Sequence, residues 1–290
     1  MEIVFVFGRL LFASVSNVFQ KKLSHQGLHP FYIVAATYLI LALLALPLLG
    51  LVNVTTLSNA FWVNVFLASL LDVGGWMFLV MSLSKTDLSV FGPLNAYKVV
   101  ISMVLAVLFL GEIPSPQGFL GVLIIVIGSF LLMPTAGATN LHKVRHLLLN
   151  KGVQARFLSI LLFSVGTVFL KNSVIYASPL ATLIFWSLMG LPLILIANQL
   201  VLKDGFIQST KQSLPQIPTI ILIGAMVFIM QYLTLVLLSK MLVAYTLALF
   251  QLGMVLQVFL GSRFFQEQHF LRRLLVSLVM MIGSLLVLMT

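Results

Sequence analysis

Apolar stretches about twenty residues long follow one another from Ile3 almost to the last residue, and this recurrence restricts the fold more than any other feature. An α-helix rises ~1.5 Å per residue, so roughly twenty apolar residues cross the hydrocarbon of a bilayer. Ten such spans are predicted, at residues 3–20, 31–52, 61–83, 89–110 and 116–133, then 157–176, 179–202, 217–238, 241–264 and 270–289. A β-barrel would show short segments of alternating polarity, which are absent. Only 8% of the 290 residues are charged, too few to clothe a soluble domain of this length. The fold class is therefore an all-α membrane protein of ten transmembrane helices. The first span has Glu2 before it and no basic run, and it carries Ser14, Ser16 and Asn17. It is expected to be a working helix rather than a signal peptide.

Several chemistries drop out. There is no cysteine, which excludes disulfides, zinc–thiolate sites and thiol catalysis. The five histidines all fall in loops between spans and form no metal-ligand set. No phosphate-binding glycine loop and no nucleophilic triad is present, so neither ATP-driven transport nor an enzyme is expected, and no cofactor. The net charge of +10 sits mainly in loops between spans, which points to membrane orientation rather than nucleic acid.

The two halves read as repeats. SVSNVFQK (Ser14–Lys21) matches SVGTVFLK (Ser164–Lys171) at an offset of 150. Further on the offset is 155: Leu83–Lys85 faces Leu238–Lys240, Glu112 faces Glu267, and Ile127–Ser129 faces Ile282–Ser284. Each half has five spans, an odd number, so the copies are inverted relative to one another, an organisation common among secondary transporters. The expected units are residues 1–134, a basic amphipathic linker at 135–156 along the membrane surface, and residues 157–290. Twelve lysines and arginines, Lys21, Lys85, Arg156 and Lys203 among them, fall in loops on one side, against Lys171 and Lys240 on the other. That bias puts both termini outside the cytoplasm.

Two five-span repeats with GPLNAYKVVISMVLAVLFLGEIPS (Gly92–Ser115) and GFLGVLIIVIGSFLL (Gly118–Leu132) resemble the drug/metabolite transporter superfamily, specifically its EamA-type members. Pro93, Gly111, Glu112, Gly121 and Gly128 fit the family's fourth and fifth spans. In the second half Glu267 and Gly283 fit, while Ala248 replaces the proline and Gln266 the glycine. The resemblance implies a ten-helix transporter of the cell membrane, and export of a metabolite or drug; it does not choose the substrate. It also implies cytoplasmic termini, opposite to the charge bias.

Asp72 and Lys98 are the one acid and the one lysine expected near the midplane. A charge at that depth is expensive and by default functional. Asp72 and Trp76 share a helix face, as do Asn95, Lys98 and Ser102, while Gly74 and Gly75 allow close helix approach beside the acid. At offset 155 Asp72 and Lys98 face Val227 and Gly253, so the fold itself requires neither charge. Gln231 and Gln251, near the centres of spans eight and nine, and Asn17 on the first span complete the candidate substrate site, with Asp72 also the candidate for proton coupling. Arg9 is expected to snorkel or line an outer vestibule, and Glu112 and Glu267 to cap or anchor loops. The sequence thus predicts a secondary transporter of a small polar or zwitterionic solute working by alternating access. The rival is a non-transporting membrane assembly partner or sensor whose Asp72–Lys98 pair is static.

Overall fold

The computed structural model describes residues 2–85, 88–131, 150–202 and 205–265, with isolated positions beyond. Residues 135–149 of the linker, Glu267 and nearly all of the tenth span lie outside the described residues. Among the described residues there is no strand, and seven helical stretches are long and apolar enough to cross a membrane. The protein is an integral, multi-pass, all-α membrane protein.

The first half runs α1 (Glu2–His25), α2 (Pro30–Ala45), α3 (Asn59–Leu83), α4 (Leu88–Leu110) and α5 (Pro116–Leu131). The second runs α6 (Lys151–Tyr176), α7 (Pro179–Val201), α8 (Ile217–Lys240), α9 (Val243–Phe250) and α10 (Gly253–Phe265). The starts follow local chemistry. Ser58, Asn150 and Ser178 turn their side-chain oxygens onto the first free backbone N–H groups of α3, α6 and α7. Proline at the first turn of α2 and α7 surrenders an N–H that has no helical partner there anyway.

Four boundaries depart from the predicted spans. The first span runs on to His25, which puts Lys21 on a buried helix position instead of in a loop. The second span stops being α-helical at Ala45, because Pro47 has no N–H to continue the ladder, and Leu46–Leu51 tighten into a 3-10 turn. The sixth begins at Lys151 rather than 157, capped by Asn150, which brings Arg156 into a buried helix position instead of the linker. The ninth is broken. At Gln251 and Leu252 the amides bond three residues back, to Ala248 and Leu249, and α10 restarts at Gly253.

The halves pack reciprocally. α3 lies along α6 as α1 lies along α8, α2 pairs with α7, and α2 meets α8 as α7 meets α3. α4 touches α6, and α10 touches α1. Exchanging α1–α4 with α6–α10 maps this set of contacts onto itself. Bare glycine surfaces make the close approaches possible. A Cβ on Gly75 would lie 2.8 Å from the Phe163 ring, and one on Gly190 would overlap Tyr38.

One polar knot ties the halves together at the end where α4, α6 and α8 finish. Gly111, in the left-handed region at φ +66°, turns the chain out of α4 so that Glu112 reaches across. Its Oε1 lies 3.2 Å from Lys171 Nζ, and its Oε2 accepts the Val243 N–H at 2.6 Å, capping α9. Lys171 Nζ also donates to the Leu238 and Met241 carbonyls at 2.6 and 2.9 Å, closing the end of α8 and filling all three of its donor positions. Beside it, Tyr245 Oη accepts from the Ser115 amide at 2.7 Å. We expect Glu112→Gln to lower thermal stability by about 1–3 kcal/mol through loss of charge at a buried donor cluster. Thermal melting in detergent reads this directly, and an unchanged Tm would mean the knot is not structural.

Candidate functional site

A cavity of about 140 Å³ lies between the halves. α1 contributes Arg9, Ser14 and Asn17; α3 Asp72 and Trp76; α4 Lys98. From the second half come Arg156, Phe163 and Thr167 on α6, Gln231 and Thr234 on α8, and Phe250, Gln251, Gly253 and Gln257 around the break between α9 and α10. The spacing explains the lining. Arg9, Ala13 and Asn17 recur every four residues on α1, and Asp72, Trp76 and Leu79 follow the i, i+4, i+7 rule on α3. Several facing residues are repeat counterparts: Trp76 and Gln231, Leu79 and Thr234, Asn17 and Thr167, Lys98 and Gly253.

The structure brings Asp72, Lys98, Trp76, Gln231, Gln251 and Asn17 to this one cavity. The Asn95 side chain lies outside the described residues. Among the described residues no ion pair joins Asp72 to Lys98. The buried Asp72 carboxylate accepts instead from the Trp186 indole, with Nε1 to Oδ2 at 2.9 Å. Trp186 on α7 is fully buried, so its N–H must find an acceptor, and the aspartate is where it finds one. Tyr38 packs on the same indole at 5.2 Å between ring centroids. The other carboxylate oxygen, Oδ1, has no hydrogen-bond partner among the described residues. It sits against the bare face of Gly166, where a Cβ would come within 2.6 Å.

Lys98 places its ammonium 4.9 Å from the centre of the Phe163 ring, and Trp76 meets the same ring edge-on at 6.2 Å. Arg9 lies over Phe250 with Cζ 3.7 Å from the ring centre, and its Nε donates to Thr234 Oγ1 at 3.4 Å. Arg9 is thus a cavity residue rather than a snorkelling one. Arg156, 7% exposed, reaches Ser159 Oγ at 3.5 Å. Ser14 Oγ donates to the Gly253 carbonyl at 3.3 Å, which ties α1 to the broken helix. Irregular backbone at membrane depth is tolerated where it lines a cavity or is buried in protein. Among the described residues the charged lining is Arg9, Lys98, Arg156 and Asp72.

Sequence reasoning missed Trp186 and Arg156, and expected Arg9 at a span end or outer vestibule rather than in this cavity. For Trp186 a signal existed: an indole in the middle of an apolar span needs an acceptor, and Asp72 was the one carboxylate at that depth. Among the described residues no group of three or more His, Cys, Asp or Glu side chains could hold a metal ion.

Residues 1–133 match the model of the EamA-like transporter family. The resemblance read from Gly92–Ser115 and Gly118–Leu132 holds. Comparison with curated proteins finds no match. Among solved structures, one described as "Crystal structure of protein" aligns with a TM-score of 0.71 at 16% identity, covering 98% of this chain and 95% of that one. At that identity the likeness speaks for the fold alone.

Removing the indole donor isolates the acid. Trp186→Phe leaves Asp72 Oδ2 buried without a partner, an expected loss of about 1–3 kcal/mol. Adding Asp72→Asn to that variant should lower Tm by less than the same change does in the wild type, because no charged acceptor then remains to be satisfied. Simple additivity of the two changes in Tm would contradict the coupling.

Proposed function

We propose that the protein is a secondary active transporter that exports a small polar or zwitterionic metabolite or drug by alternating access, with Asp72 as its proton-coupling group. The observation that carries the reading is a single cavity lined from both halves, which gathers four charged side chains at the level where the ninth span is broken. Broken helices beside a midplane site are how many secondary transporters expose backbone dipoles to a solute. Asp72, Lys98, Trp76, Gln231, Gln251 and Asn17 are the proposed solute contacts. Asn95 joins them by its helical register, three residues before Lys98.

The same proposal includes ten helices arranged as two inverted five-helix repeats, with residues 270–289 as the tenth. The reciprocal packing of α1–α4 with α6–α10 supports it. So does Lys21, buried at 3% exposure in the position that corresponds to Lys171. The Glu112–Lys171 knot suits a closure that one state holds and the other releases. Both termini are proposed to lie outside the cytoplasm of a cell membrane. Taking the buried Lys21, Arg156 and Lys171 out of the loop count changes twelve against two into ten against one, so the charge bias survives.

The rival, a non-transporting assembly partner, calls for a static Asp72–Lys98 pair. Asp72 is bonded to Trp186 instead, and Lys98 faces the cavity over Phe163. Single thiols in this cysteine-free chain separate the readings. In sealed vesicles, Asn17→Cys and Gln251→Cys should each react with a membrane-impermeant maleimide added from either side. Reaction from neither side, or from one side only under every condition, refutes alternating access. Asp72→Asn and Lys98→Met should each slow movement of the authentic substrate roughly tenfold or more.

A further inference from the structure

We propose that the cavity selects organic anions: compact solutes whose carboxylate or phosphate-like head is held by Arg9 and Lys98, with a flat apolar body lying among Trp76, Phe163 and Phe250. The inference rests on the transporter reading of this same cavity and adds the sign of the cargo's charge.

Among the described residues three cations and one acid line the space. The acid is partly committed: one oxygen holds the Trp186 indole and the other packs against Gly166. It therefore balances at most one of Arg9 and Lys98, the two cations that would meet the solute's head. Arg9 is fixed by its stacking on Phe250 and its bond to Thr234, which leaves its terminal N–H groups without a further acceptor among the described residues. Lys98 rests on a ring face and has no hydrogen-bond acceptor among the described residues. Ring faces stabilise a cation without neutralising it. Like charges sharing a poorly screened cavity repel one another, and an entering anion relieves that repulsion while supplying the missing acceptors.

The internal repeat argues that these charges serve cargo rather than fold. Arg9 corresponds to Ser159, Arg156 to Val6, Lys98 to Gly253 and Asp72 to Val227. At each of these four positions the other half folds around a neutral residue. The aromatic surfaces lie beside the cations, which suits a flat body attached to the anionic head. At 10–15 Å³ for each water-sized probe, the space admits roughly ten waters, the scale of a small one-ring acid.

The test uses the purified full chain and four probes that share one ring: phenylacetate, phenyl phosphate, phenylacetamide and phenethylamine. Isothermal titration should show phenylacetate or phenyl phosphate binding roughly tenfold or more tighter than the neutral amide and the amine. Arg9→Gln and Lys98→Met should each weaken the anion by a similar factor, Arg9→Lys should retain the preference, and Asp72→Asn should leave it equal or tighter. Melting without ligand reports whether each variant is folded. Equal binding of all four probes, preference for the amine, or no binding by any of them overturns the proposal. The two readings fail separately. An amine preference with thiols at positions 17 and 251 reached from both sides rejects the anion and keeps the transporter. An anion preference with one-sided access does the reverse.

Discussion

Ionised side chains in hydrocarbon are the constraint to which the rest of this structure answers. One charge at the centre of a bilayer costs roughly 2.5–3.5 kcal/mol on insertion scales, and this chain brings four to one region. They are not scattered: Arg9, Asp72, Lys98 and Arg156 converge on one cavity, and each has a specific local answer. The aspartate takes an indole N–H, two cations take aromatic faces, and Arg156 takes a serine hydroxyl. The glycines beside them have a matching role. Gly75 lets α6 come close enough to bring Phe163 to Lys98, and Gly166 leaves room for the Asp72 carboxylate.

The second organising element lies at one end of the bundle. Glu112 and Lys171 satisfy each other while capping two helices of the second half, so a single buried pair links the α4–α5 turn to α6, α8 and α9. Such a link is cooperative: among the described residues the carbonyls and the amide it serves have no other partner when it parts. Leu238, whose carbonyl it holds, also lines the cavity, so the knot sits at the cavity's edge. Packing, capping and cavity therefore depend on the same few contacts between halves.

Much of this could be read from the sequence, for reasons that particular residues make plain. Long apolar runs leave a chain no alternative to spanning helices, and the rarity of charge made Asp72 and Lys98 stand out. Their neighbours on the helix faces followed from spacing. What could not be read was who meets whom across the bundle. Trp186 lies far from Asp72 in the chain, and only the packing of α3 on α7 brings them together. Arg9 and Arg156 sit near span ends, where snorkelling and solvation are the ordinary outcomes; six residues added to the start of α6 changed the fate of Arg156. The break at Gln251 and Leu252 contains no proline; Gly253 beside it is the one local signal, and a lone glycine in an apolar span is too common to mark a break. The Gly-Glu pair at 111–112 was visible as a pattern, but its purpose needed the position of Lys171.

The account's central claim is that the two halves move against each other around this cavity. Spin labels at Ile113, which is 79% exposed, and at the exposed Lys240 would flank the Glu112–Lys171 knot. Electron–electron resonance distances between them, measured in lipid nanodiscs, read that end of the bundle directly. Two distance populations, with the longer one enriched by Lys171→Met, are expected. A single narrow distance, identical with and without Lys171, would contradict the account.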